Sequence, residues 1–336
     1  MEPLRDMLGH GFIGKTLALV VILALGILRV PPATGAPQPG KVYRIGVLHP
    51  GSGSEERLAA LREAGYIEGH NLVIEPRHAQ GRVERLPALA RELVALKPDI
   101  ILATSNSAIQ AAKNATKSIP IVMAFSDDPV AVGLVASLAR PGGNTTGVTL
   151  TAAGTLAAKR LELLKAALPR VRRIALLDWP RGDATASAPA VQEAQLAARS
   201  LTLETVLVEV RDGSYERAFS AVSAERADAL FVLSHPILNR DRKRIIALAA
   251  RYRLPAMYEW REWAEEGGLM AYGANARDLN RRVAVFVDKI LNGAKPSELP
   301  VEQPTTFELI VNMTTARALG LTFPPSLLAQ VHHIVE

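Results

Sequence analysis

From Lys41 onward, short apolar runs alternate with longer stretches in which apolar residues recur at helical spacing. Val42–Leu48, Asp99–Ala103 and Ile119–Ala124 are nearly continuous apolar runs and not strict polar–apolar alternations. Such a strand has two apolar faces and must be covered on both. Helices laid on each side of a mostly parallel sheet supply that cover. The segments between these runs read as the helices, among them Glu55–Ala64, Val83–Leu96, Ser105–Asn114 and Val130–Leu138. Gly65 is placed to stop the first of them, because glycine tolerates a left-handed cap.

The same rhythm restarts after Thr149–Ala153, with strands near Arg173–Leu177, Thr202–Val208, Ala229–Leu233 and Ala256–Tyr258, and a long helix over Ile237–Tyr252. Two α/β units of ordinary domain size are therefore expected. They divide as 41–150 and 151–273. Residues 274–336 hold a helix, a strand and a tail too small for a third domain, expected to complete both units. The fold class is thus two Rossmann-like parallel-sheet lobes joined by a multi-strand hinge. Ligands in open α/β sheets bind beyond the carboxyl ends of the strands, so two facing lobes make a cleft that closes on a small molecule.

The segment before Lys41 has a different character. Lys15 precedes the run LALVVILALGIL at 17–28, and Pro31 to Ala36 are small or proline residues. A basic start, an apolar core of about a dozen residues and a small-residue exit describe an export signal. Residues 1–36 are read as that signal, or as an uncleaved anchor, with the folded part in the periplasm. The chain of 336 residues contains no cysteine. That excludes disulfides, thiolate metal sites, thiol nucleophiles and a lipidated cysteine after the apolar run. Formal net charge is +6, and +5 beyond residue 36. Spread over so many residues, this excess does not make a nucleic-acid face, which needs clustered Lys and Arg on a docking element.

Site candidates come from the strand-to-helix loops. The first lobe offers His49 and Ser52, then Thr104, Ser105 and Asn106, then Ser126, Asp127 and Asp128. The second offers Asp178, then Ser234 and His235, then Tyr258, Glu259 and Trp260. Hydroxyls before a helix start suit an anion, although N-capping accounts for each of them singly. Asp127 and Asp128 could meet an ammonium group or could simply open a helix ahead of Pro129. Tyr258 and Trp260 can stack on a planar or aliphatic ligand. Nothing in the spacing of His49, His235 and Asp178 requires a metal. HExxH, GxSxG and GxxxxGK[ST] are absent, and GVLHPGSGS at 46–54 breaks the GxGxxG order. No catalytic residue and no cofactor is implied. The cluster Arg240 to Arg244 reads as a solvated helix face.

Several longer stretches carry a resemblance: LREAGYIEGHNLVIEPRHAQGRVERLPALARELV (Leu61 to Val94), IPIVMAFSDDPVAVGLVASLARPGGNTTGVT (Ile119 to Thr149), AKRLELLKAALPRVRRIALL (Ala158 to Leu177), LPAMYEWREWAEEGGLMAYG (Leu254 to Gly273) and LPVEQPTTFELIVNMTTARALGLTFPPSLL (Leu299 to Leu328). In this order they resemble the ABC-transporter substrate-binding proteins typified by the tryptophan and aromatic amino-acid uptake receptors, with a type I-like periplasmic binding fold. The resemblance implies a non-enzymatic receptor that binds an amino acid or related carboxylate between its lobes. Its implied partners are the small-molecule solute and an inner-membrane ABC permease with a separate ATPase. An extracytoplasmic sensing module for a membrane signalling partner is the alternative. One departure stands out. Arg62 follows His49 by only thirteen positions, where relatives usually have a longer segment. Either the first helix is clipped and the site more open, or ligand specificity is altered.

Overall fold

The computed structural model describes residues 40–51, 55–150, 156–180 and 188–336. The segment read as an export signal and Ser52 lie outside the described residues. Among the described residues, no helix is long and apolar enough to cross a membrane.

Two sheets organise the chain. The first contains β1 (Tyr43–His49), β2 (Leu72–His78), β3 (Ile100–Thr104), β4 (Ile121–Ser126) and β5 (Thr145–Thr149), in the order β2-β1-β3-β4-β5. All its pairings are parallel. Between these strands run α1 (Glu55–Glu63), α2 (Leu86–Ala95) and α3 (Asn106–Ala115). The strand β3 shows why its sequence is a continuous apolar run. Ile100 and Leu102 face one buried cluster, with Tyr43, Ile45 and Leu61. Ile101 and Ala103 face another, with Leu89, Leu93 and Ile109. Successive side chains point to opposite faces, and here both faces are core.

The second sheet contains β6 (Arg173–Asp178), β7 (Glu204–Glu209), β8 (Ala229–Val232), β9 (Ala256–Tyr258), β10 (Met270–Ala274), β11 (Phe307–Asn312) and β12 (His333–Val335). Its order is β12-β11-β10-β9-β8-β6-β7, and only β10 with β11 is antiparallel. Its helices are α4 (Leu156–Ala167), α5 (Ala188–Ser200), α6 (Tyr215–Ala224), α7 (Pro236–Arg240), α8 (Arg242–Arg251) and α9 (Arg261–Glu265). The winding β7-β6-β8-β9-β10 repeats that of the first sheet. Each lobe thus has a switch point, between β1 and β3 and between β6 and β8. Ligand sites form at such points.

The chain passes between lobes after β5, between β10 and α10 (Ala276–Leu291), and between α10 and β11. Although α10 follows a strand of the second sheet, its Leu279, Val283, Phe286 and Val287 pack under the first. Side chains pin these passages. Asn275 Oδ1 caps α10 by accepting from the Asp278 amide at 3.0 Å, and its Nδ2 donates to Glu308 at 3.3 Å. Arg282 donates to Glu302 at 2.8 Å. Beyond β11, α11 (Met313–Leu319) and α12 (Pro325–Leu328) close the second lobe.

Two expected helices differ. Residues 129–142 form turns and bends in place of a helix over Val130–Leu138. Gly133 takes φ +70°, and the Lys113 ammonium donates to the carbonyls of Gly133 and Leu134, both at 2.7 Å, which an α-helix would need for itself. The long helix at Ile237–Tyr252 is broken at Asp241, whose carboxylate is held by Arg240 at 2.7 Å and by the Tyr215 hydroxyl at 2.7 Å.

Candidate functional site

The carboxyl ends of both sheets face one cavity of about 350 Å³. That size is within the range of small-molecule sites. Its first-lobe wall holds His49, Arg57, Thr104, Ser105, Phe125 and Asp127. Its second-lobe wall holds Ser234, His235, Arg240, Glu259, Trp260 and Trp263, among others.

The aromatic part spans the lobes. Phe125, at the end of β4, and Trp260, after β9, have ring centroids 5.7 Å apart and tilted by 45°. Trp260 packs against the cores of both lobes. The Arg57 guanidinium lies over the other part of this arrangement, 5.3 Å from the Phe125 centroid, a cation–π distance. Phe125 and Ser105 both have left-handed backbones, at φ +61° and +74°. Non-glycine residues hold such conformations only where surrounding structure enforces them, and they concentrate at binding sites. Here the register of β4 on β5 shifts between Met123 and Ser126, and the Ser105 amide donates to the Ala124 carbonyl at 3.2 Å.

The two cavity histidines are held alike. His49 Nδ1 accepts from the Gly51 amide at 2.9 Å, and His235 Nδ1 accepts from the Ile237 amide at 3.1 Å. Burial first, then the neighbouring Arg57 charge and His78, push the His49 pKa down to about 3. Its imidazole is neutral across physiological pH, with the proton on Nε2 as the remaining donor. Arg240 reaches across the cleft mouth, where its Nη1 donates to the Gln80 carbonyl at 3.4 Å.

Of the sequence candidates, the cavity wall brings together His49, Thr104, Ser105, Asp127, Ser234, His235 and Trp260. Five others stand off it. Asn106 accepts from the Ser126 hydroxyl at 2.7 Å, so these two tie one loop to the next. Asp128 accepts from the amides of Val130 and Ala131 at 3.2 and 3.0 Å, opening the turn. Asp178 is buried at the end of β6. Tyr258 is in the second-lobe core, stacked on Trp263 at 4.6 Å. Glu259, another residue of the loop after β9, lines the cavity too, and the wall also includes residues not expected there, above all Arg57, Phe125, Arg240 and Arg242. Among the described residues no group of three His, Asp or Glu side chains is arranged to hold a metal ion.

Residues 53–335 match the family described as ABC transporter substrate binding protein. The chain belongs to this family. It is a non-catalytic solute-binding protein, and the family implies the usual importer partners, a permease and an ATPase. Among curated proteins it is 27% identical over 264 residues to the tyrosine-binding protein of Clostridioides difficile, covering 79% of this chain and 75% of that one. Among solved structures it is similar to a conserved domain protein of Vibrio cholerae (26% identity, TM-score 0.80, covering 88% of this chain and all of the other). It is also similar to the ABC domain from Streptococcus pneumonia in complex with L-Trp, with 26% identity, TM-score 0.77 and the same coverage. A ligand-free, open substrate-binding protein from Clostridium difficile superposes less well, at TM-score 0.61 with 26% identity, over 88% of this chain and 99% of that one. Both lobes contribute to the wall of the cavity, the second the larger share, so a small molecule bound there lies between them.

Proposed function

We propose that this substrate-binding protein is an exported receptor for an amino acid with an apolar or aromatic side chain, which it carries in the interlobe cavity to an inner-membrane permease driven by a separate ATPase. The observation that carries this reading is the composition of the cavity wall: the Phe125–Trp260 pair beside groups of both charges, Arg57 against Asp127 and Glu259. A zwitterion with a ring or branched chain matches such a wall. The names of the tyrosine-binding and L-Trp-complexed relatives support the same class. The better superposition on the L-Trp complex than on the open, ligand-free relative supports reading the arrangement as closed. The signal-like segment at 1–36 supports export. We read the working units as the lobes 41–150 and 151–273, with 274–336 completing both.

Thermal-shift measurements on the exported part test this. A panel of amino acids, their des-amino acids and sugars is expected to give saturable stabilisation by at least one apolar or aromatic amino acid. Stabilisation by sugars alone would reject the proposed ligand class.

A further inference from the structure

One residue of the cavity wall, Glu259, belongs to a buried ion pair that the aromatic pair and the histidines do not explain. Glu259 is 6% exposed and Arg160, on α4, is 5% exposed. Arg160 Nη2 stands 2.8 Å from Glu259 Oε1, at an angle outside hydrogen-bond geometry. Arg160 Nε is committed elsewhere, donating to the Tyr272 carbonyl at 2.7 Å. The guanidinium is thereby anchored to β10 and presents only one side to the carboxylate. A Cβ on Gly273 would collide with the Glu259 carbonyl oxygen, so that glycine is what lets the Glu259 backbone lie so close to β10.

The consequence is an oxygen left over. Glu259 Oε2 is buried and, among the described residues, has no hydrogen-bond partner. From the first lobe, Thr104 is 5% exposed, lines the same cavity, and its Oγ1 is likewise buried without a partner. Buried polar atoms are almost always satisfied, and unsatisfied ones need a reason. Two of them on opposite walls of one cavity share a reason in a ligand that fills both. Of the arginines on the second-lobe wall, Arg240 pairs with Asp241 at 2.7 Å and Arg242 with Glu266 at 2.6 Å.

We propose that Glu259 and Thr104 form the subsite for the ligand's ammonium group, with Arg160 as the positioning residue that aims Glu259. An ammonium brings three donors and a positive charge. The Glu259 carboxylate takes one donor as a charge-assisted bond, the strong kind, and the Thr104 hydroxyl takes a second from the opposite wall of the cavity. Arg57, on the first-lobe wall beside Phe125, is the positive group on the side of the ligand's carboxylate. This inference rests on the amino-acid reading above, and its test separates the two.

The experiment is calorimetry of L-tryptophan, L-tyrosine and L-leucine against their des-amino acids. Wild-type protein is expected to bind its best amino acid about 10- to 100-fold more tightly than the matching des-amino acid, the span of one charge-assisted bond. Glu259→Gln is expected to close that gap by weakening the amino acid alone. Arg160→Lys, which keeps the charge but not the Nε bond to Tyr272, is expected to narrow it without changing des-amino binding. If Glu259→Gln does not fold, the neutral pair Arg160→Gln with Glu259→Gln carries the same expectation. A Glu259→Gln protein that weakens both ligand forms equally, or leaves the gap intact, overturns the subsite while leaving the amino-acid reading standing. Wild-type protein that binds none of the six compounds overturns both.

Discussion

Replacing Trp260 with alanine should separate ligand affinity from fold stability. The indole is half-buried, packs on the cores of both lobes and lies 5.7 Å from Phe125. A ligand side chain held against it removes about 60 Å² of apolar surface from water, worth about 1.5 kcal/mol at the usual 25 cal/mol per Å². Ring stacking adds about 0.5–1.5 kcal/mol where the ligand is aromatic. The sum of about 2–3 kcal/mol corresponds to a Kd raised about 30- to 150-fold. The loss of packing on the protein itself is smaller than for a fully buried tryptophan, about 1–2 kcal/mol, or a fall of about 2–8 °C in Tm for a chain of this size. Calorimetry with the best amino acid and a thermal melt of the ligand-free protein read the two effects. A Trp260→Ala protein with the expected fall in Tm and a Kd within about threefold of wild type would refute the placement of the ligand against this ring.

Three further outcomes follow from the geometry. Arg240→Ala removes the reach to the Gln80 carbonyl across the cleft mouth. It should speed ligand release about fivefold, the equivalent of about 1 kcal/mol, as read by stopped-flow fluorescence; an unchanged off-rate would contradict a role for this bond in retaining the ligand. His49, held down to a pKa of about 3, should show no imidazole titration above pH 5 by NMR. Because its folded value lies below the ordinary 6.5, its contribution to stability is complete above pH 6.5 and is lost as pH falls from there toward 3; a midpoint near 6.5 in the folded protein would contradict its burial beside Arg57. Tyr215→Phe deletes the 2.7 Å bond to Asp241 and should cost about 1 kcal/mol in chemical denaturation. Burial alone would raise the Asp241 pKa, but the bonds from Arg240 and Tyr215 outweigh it and hold it below the usual range. That stability is present above the ordinary Asp value and is lost as pH falls through the lowered one, so the variant should lose less than wild type on acidification.

Much of the fold is legible in the chain because both faces of its inner strands are core. The alternation that places Ile100 and Leu102 against one set of helices and Ile101 and Ala103 against the other forces a continuous apolar run. The same logic makes the strand ends, and hence His49, Thr104 and Ser234, readable as candidates. What cannot be read is which way a residue turns once the strand stops. Tyr258, Glu259 and Trp260 are consecutive, yet Tyr258 stacks under Trp263 in the core while Glu259 and Trp260 line the cavity. Strand parity would have put Tyr258 and Trp260 on one side. Arg57 is hidden for another reason: an arginine early in a short helix reads as solvated, and only the seating of α1 beside β4 buries it over Phe125. Arg240 and Arg242 reach the cleft because the helix breaks at Asp241, a tertiary effect of Tyr215 that no local periodicity carries.

Closure of the two lobes on an amino acid can be measured as a distance. The absence of native cysteine allows spin labels to be placed without background, at exposed Glu84 of the first lobe and exposed Lys243 of the second, each changed to cysteine. Double electron–electron resonance between them, with and without saturating amino acid, is the most direct measurement. Saturation with the binding amino acid is expected to shift the distribution toward a single shorter distance, and its des-amino analogue at the same concentration is expected to leave it unchanged. A distance distribution that stays the same on saturation would contradict it.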